Sequence, residues 1–180
     1  MKQDFLNAMS RVTQSVTIVT TRNGAHRTGA TVSAMTSVSA DGAAPLILIC
    51  LRETSNTATE ILKSDAFCVN VLHDQHSALA NSFAGRDNGE ENDRFQHGIW
   101  VETSKGGWRL DDCVVAFDCT LQSHTLQGSH HVMIGAVQEI YLNPFMQSTL
   151  LYSNREYATA QPIQKDAINK TKQPLKIAQS

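Results

Sequence analysis

Residues 29–51 read GATVSAMTSVSADGAAPLILICL, a run of small and hydroxylated residues leading into an apolar one. Gly29, Ala30, Thr31, Ser33, Ala34, Thr36, Ser37 and Ser39 leave backbone amides uncovered and add hydroxyl donors. A flat ligand that makes many hydrogen bonds can lie on such a surface, with 46–51 behind it as a rigid apolar wall. The same residues also suit a small-residue strand at a tight barrel corner, with no ligand at all.

Three further groups have chemical potential. Ser55, Asn56 and Thr57 open a short helical pattern with free amides, and Arg52 lies three residues before them. A helix N-terminus with a nearby guanidinium is an anion site, although simple capping explains the same residues. His73 and His76 are three apart at a helix start and have no evident third ligand. They read as a solvated turn with Asp74 as its cap, and no metal is expected. His130 and His131 open a strand-like run and on their own suit a hairpin surface. Cys50, Cys68, Cys113 and Cys119 lack C-x-x-C spacing and read as free, small hydrophobes of a reducing compartment.

Some chemistries are argued against. There is no G-x-G-x-x-G after a strand, no G-x-x-x-x-G-K-[ST] and no G-x-S-x-G, so Rossmann, P-loop and nucleophile-elbow enzymes are not expected. The net charge is −2, without a basic field for nucleic acid. No apolar run approaches the ~20 residues of a membrane span, and the N-terminus lacks a signal-peptide pattern, which together favour the cytoplasm. The 180 residues suit one domain over 1–160, followed by a lysine-bearing polar tail over 161–180.

The elements that must position these groups are mostly strands. Runs at 15–21, 28–37, 46–51, 67–72, 108–110, 114–121, 131–142 and 150–152 have strand composition or alternation. Asn23-Gly24 marks a hairpin between the first two. Phe5, Ala8, Met9 and Val12 share one face of an N-terminal helix that Asp4 can cap. Thr57 with Glu60 reads as a capping box, with Ile61 and Leu62 inward. Another helix spans 75–84, with Asp74 as cap, Leu79 and Phe83 on one face and Gly85 as its stop. Residues 86–98 read as a polar loop. The strands do not alternate with long helices, so a mainly β, closed antiparallel barrel with a few short peripheral helices is expected.

Nine segments in order resemble the short-chain flavin reductase family, the reductase components of two-component flavin monooxygenases. They run from F..AMSRVTQSVTIVTT through GATVSAMTSVS, PLILICL, SNTATEILKSDAFCVNVL, LANSFAGR, DRFQHGIW, VVAFDCTL and GSHHVMIGAV to LLYSNREY, covering 5–157. The resemblance implies an FMN-binding split β-barrel, antiparallel and Greek-key-like, that forms a homodimer. It also implies bound FMN or FAD, reduced by NADH or NADPH and passed to a flavin-dependent monooxygenase. Hydride then moves directly between cofactors, with no catalytic side chain.

The resemblance places flavin contacts on Thr31, Val32, Ser33, Ala34, Thr36 and Ser37, and on Cys50, Leu51 and Arg52. It adds the phosphate segment Ser55, Asn56 and Thr57, and Phe83 and Ala84. His130, Arg155 and Tyr157 fall on the nicotinamide side. Ser129 departs from the family's G-D-H motif, which has aspartate there. Three other readings stay open: a flavin-mediated ferric reductase, a flavin-binding module without turnover, and a relative of the pyridoxamine-phosphate oxidases.

Overall fold

A computed structural model describes residues 1–86, 91–145 and 148–163, and the expected tail lies almost wholly outside them. Helix α1 (Lys2–Ser10) leads into β1 (Gln14–Ser15), β2 (Thr17–Asn23) and β3 (His26–Val32). Then come β4 (Met35–Ser39), β5 (Leu46–Arg52), α2 (Asn56–Ser64) and β6 (Ala66–Val71). A 3-10 turn (Asp74–His76) runs into α3 (Ser77–Phe83), and a second (Glu91–Gln96) precedes β7 (Trp100–Glu102) and β8 (Trp108–Leu110). The long strands β9 (Val115–Gln127) and β10 (His130–Leu142) follow, and β11 (Leu150–Ser153) and β12 (Glu156–Thr159) end the described chain.

Seven strands form one antiparallel sheet in the order β3-β2-β6-β9-β10-β5-β4. Its two edges, β3 and β4, are consecutive in sequence and are joined only by Ser33 and Ala34. The sheet therefore curls until the ends of its wall meet. Among the described residues no ladder pairs β3 with β4, so the barrel is open along this seam rather than closed. The expected single strand over 28–37 is broken there. Residue types cannot show such a break, because it depends on which partner each half pairs with: β2 before it, β5 after it.

β2 and β6 bury both faces, their successive side chains pointing to opposite sides of the sheet. Val19, Ile49, Phe67, Val69, Cys119 and Met133 fill one core with Ile61 from α2. Ile18, Cys68, Leu72, Ala116 and Leu150 form the other, covered by Leu79 and Phe83 of α3 and by Phe95 and Leu110. The Asn23-Gly24 hairpin is present, with Asn23 opposite His26 and Gly24 at φ 60°, a conformation glycine adopts without Cβ strain.

Several local expectations are corrected. Ser55, not Thr57, caps α2, its hydroxyl accepting from the Ala58 N–H at 3.5 Å. His73, not Asp74, caps the first 3-10 turn, accepting from the Gln75 N–H at 3.2 Å. His73 is also buried rather than solvated. α1 ends at Ser10, so Val12 lies beyond it rather than on its marked face, and Phe5, Met9 and Val12 are exposed in the single chain. The strand expected to end at 121 continues to Gln127, because its partner β10 supplies the register out to a turn at Gly128 (φ 61°). The 86–98 stretch is not all loop, since Phe95 is a buried anchor within a 3-10 segment.

Candidate functional site

Three cavities share walls and form one groove beside the seam. The central one, about 360 Å³, is lined by Ala30, Thr31, Val32, Ser33, Ala34, Cys50, Leu51, Arg52, Ser55, Phe83, Ala84 and His130. A polar lobe of about 270 Å³ adds Thr54, Asn56, Thr57, Gly85 and Arg94 around the start of α2. A smaller lobe of about 150 Å³ adds Val16, Arg86, Tyr152 and Tyr157. Twelve of the fourteen residues expected to meet flavin line the first two lobes. Thr36 and Ser37 do not, being exposed on β4.

The seam is what opens the central lobe. Ser33 and Ala34 lie between two ladders, so their amides belong to no strand pair. The Ala34 carbonyl accepts from the Cys50 N–H at 3.1 Å, which holds this corner against β5. Cys50 is half-buried, and burial raises its thiol pKa, so it stays protonated and lines the wall as a neutral group. Gly29 is essential to the opposite side. A Cβ there would stand 2.6 Å from Cε1 of Phe83, so only glycine lets the Phe83 ring lie against β3. The Thr31 hydroxyl donates to the Ala80 carbonyl at 2.7 Å and ties β3 to α3.

At the polar lobe, Thr57 is buried and accepts from the Thr28 hydroxyl at 3.1 Å. Its own proton can therefore serve a ligand. Arg94 arrives from the second 3-10 segment, placed by the buried neighbour Phe95, whose ring packs on Phe83, Trp100 and Trp108. Its Nε is buried and has no hydrogen-bond partner among the described residues. Sequence reasoning missed Arg94; the signal was an arginine directly before an aromatic anchor inside a polar stretch.

On the remaining side, His130 opens β10 directly opposite Arg52 of β5, and the Ser129 hydroxyl lies 3.0 Å from its Nδ1. His131 is absent from the groove lining and packs near His124, with ring centroids 5.7 Å apart. Tyr157 donates to Asn81 Oδ1 at 2.9 Å, and Arg86 reaches the same oxygen at 3.1 Å. Burial raises the Tyr157 phenol pKa. Arg155 lies outside the groove lining and donates to Asn7 Oδ1 at 2.7 Å.

In sum of charge, the described lining carries Arg52, Arg86 and Arg94 and no carboxylate, in a chain whose net charge is −2. An α-helix N-terminus adds its partial positive charge at the same end. The groove can thus take an elongated ligand with an apolar, hydrogen-bonding ring at the seam and an anionic tail at α2.

Known proteins share this architecture and sequence. The flavin reductase like domain family matches residues 9–161. The chain is 36% identical over 155 residues to the FMN reductase (NADH) RutF of Methylorubrum extorquens strain AM1, covering 86% of this chain and 75% of the relative. It is 33% identical over 161 residues to the FMN reductase (NADH) RutF of Variovorax paradoxus strain S110, covering 89% and 87%. Among solved structures, a homolog of nitrilotriacetate monooxygenase component B from Mycobacterium thermoresistibile superposes with TM-score 0.81 at 26% identity, covering 91% of each chain. The fold is the split barrel of flavin reductases. This chain belongs to the flavin reductase family.

Proposed function

We propose that the chain is an NAD(P)H:flavin oxidoreductase that moves a hydride from NADH or NADPH to FMN or FAD and supplies reduced flavin to a partner monooxygenase. The observation that carries this is the groove whose described lining holds three arginines and no carboxylate, with an α-helix N-terminus at one end and the seam at the other. The buried Arg94 Nε, without a hydrogen-bond partner among the described residues, fits a phosphorylated ligand. The relatives' names favour FMN and NADH within these pairs.

Bound flavin supplies the hydride acceptor. The residues bind and orient. Ser55, Asn56, Thr57, Arg94 and the first amides of α2 would hold the phosphate. Thr31, Val32, Ser33 and Ala34 would meet the ring edge, with Cys50, Leu51, Arg52, Phe83 and Ala84 around it. His130 and Tyr157 would flank the nicotinamide. Direct hydride transfer between two cofactors needs no acid–base side chain. An openly accessible groove also suits release of the reduced flavin.

Residues 1–160 form the working unit and 161–180 a polar tail; the family match ends at residue 161. A homodimer is part of the proposal. Its support is apolar surface with no cover in the single chain: Phe5, Leu6 and Met9 on α1, Val12 just after it, and Leu126 on the β9–β10 hairpin. Four free cysteines support a cytoplasmic location, and among the described residues no helix is long and apolar enough to cross a membrane. The partner is a flavin-dependent monooxygenase, a reading supported by the likeness to the nitrilotriacetate monooxygenase component B homolog.

The test is NADH and NADPH oxidation followed at 340 nm with and without FMN or FAD. Flavin-dependent turnover is expected. Flavin binding without turnover would make the chain a binding module, and neither binding nor turnover would end the reading.

A further inference from the structure

We infer that His73, His76 and Asp112 form a binding site for a divalent transition-metal ion of the zinc class, separate from the groove. His73 ends the segment after β6, and His76 closes the 3-10 turn that follows. In a 3-10 turn residues three apart lie above one another, and the two imidazole centroids are 3.5 Å apart. Asp112 comes from the turn between β8 and β9. Its Oδ2 lies 3.6 Å from His73 Nε2 and 3.2 Å from His76 Nε2. The three donor atoms all fall within 4.8 Å of one another. Tetrahedral zinc with bonds near 2.1 Å separates neighbouring donors by about 3.4 Å. The two histidine–carboxylate separations straddle that value.

The chemistry of the set fits as well. Two imidazoles and one carboxylate suit zinc, cobalt or nickel, whereas magnesium and calcium prefer all-oxygen sites. His73 is 6% exposed, so its ring is fixed by packing before any ion arrives. Ligation through Nε2 leaves the His76 proton on Nδ1, which has no hydrogen-bond partner among the described residues and would need a water as acceptor. A cavity lined by Gln75, His76, Leu79, Ser82 and His97 adjoins the site and can admit water as a fourth ligand. One adjustment follows. Coordination through His73 Nε2 moves the ring proton to Nδ1, which now accepts from the Gln75 N–H. That amide must turn away when the ion binds.

The ion's role is structural. It fastens the start of α3 to the turn at 111–114, while the far end of α3 carries Phe83 into the groove. Neither histidine nor Asp112 lines the groove, so the inference stands independently of the proposed reductase activity.

The experiment uses the untagged, EDTA-treated full-length chain, titrated with zinc, cobalt or magnesium chloride. One zinc per chain is expected by calorimetry, with a rise in Tm, a shift of the Gln75 amide resonance and no response to magnesium. Cobalt should give the intense visible d–d bands of a tetrahedral site. His76→Gln and Asp112→Asn should each weaken zinc binding at least tenfold. Flavin-dependent NADH oxidation without zinc should stay at the wild-type rate in both. His124→Gln should bind zinc as the wild type does. Wild-type zinc affinity in His76→Gln and Asp112→Asn would overturn the site. If either variant misfolds, the wild-type cobalt spectrum decides, and absence of tetrahedral bands would overturn it.

Discussion

At the scale of single residues, Thr57 has two partners to satisfy. Its oxygen accepts from Thr28, and the residue lines the polar lobe, so its own proton can serve a ligand there. Losing a hydrogen bond to a charged group costs about 1.5–3 kcal/mol, so Thr57→Ala should weaken flavin binding by about tenfold or more. It also leaves the Thr28 hydroxyl unpaired, so Tm should fall with it. Thr57→Ser keeps the hydroxyl and should restore most of both, as fluorescence titration and thermal melts will show. An unchanged flavin Kd in Thr57→Ala would place the phosphate elsewhere. His130 makes a second test. It lines the groove and His131 does not. His130→Ala should raise the nicotinamide KM strongly with little change in flavin Kd, and kcat should fall too if the ring aligns the donor. His131→Ala should leave these constants unchanged. Equal effects from both substitutions in steady-state kinetics would contradict the assignment.

At the scale of elements, two contacts decide how the groove is framed. Gly29→Ala puts a methyl against Phe83, and overpacking of this kind costs about 1–3 kcal/mol. Because Phe83 also lines the groove, urea unfolding and flavin titration should both register the change. Asn70 is the other contact. Buried in β6, it accepts from the Leu110 N–H at 2.7 Å and donates to the Trp108 carbonyl at 3.0 Å and the Ile18 carbonyl at 3.2 Å, fastening β8 to the barrel. Asn70→Leu takes the acceptor from the Leu110 N–H, at about 1–3 kcal/mol for a buried group left unpaired, while the Trp108 carbonyl keeps the Thr20 hydroxyl at 2.7 Å. A loss of about 1–3 kcal/mol in urea unfolding is expected. Elements of this kind differ in how far the chain announces them. The Asn23-Gly24 turn and the Leu79–Phe83 face were legible because local spacing determines them. So was much of the groove lining, since 29–34 and 55–57 are continuous runs of small and hydroxylated residues, whereas 50–52 and 83–84 were marked by the family resemblance. The seam at Ser33–Ala34 was not, because pairing partners set where a ladder stops. Arg94 and Asp112 were not either. Asp112 reaches His76 across 36 residues, and no short-range pattern records that.

At the scale of the whole molecule, a buried carboxylate makes stability depend on pH. Asp118 is fully buried and accepts from Thr103, Ser104 and the Lys105 amide at 2.7, 3.3 and 3.0 Å. Desolvation outweighs these bonds and raises its pKa in the folded chain. The folded state thus holds this proton to a higher pH than the unfolded one, whose value is about 3.9. Asp118 therefore contributes stability at low pH that is lost as the pH rises through the interval between the two values. Urea unfolding of wild type and Asp118→Asn across that interval should show the difference moving in favour of the wild type on acidification. A difference that is constant with pH would show that the shift is absent.

The placement of the four thiols has a consequence for survival. Reduced flavin that escapes its acceptor reacts with dioxygen and yields hydrogen peroxide, so a protein with the proposed activity works beside an oxidant of its own making. Peroxide attacks thiolates. Cys68, Cys113 and Cys119 are buried, and desolvation raises all three pKa values, that of Cys113 to about 12. Burial raises the Cys50 pKa as well, but Cys50 alone reaches solvent, through the groove, and a bound flavin would cover it. Mass spectrometry after peroxide exposure should find oxidation confined to Cys50 and reduced by added FMN, so that occupancy of the site shields the one thiol its own by-product could reach.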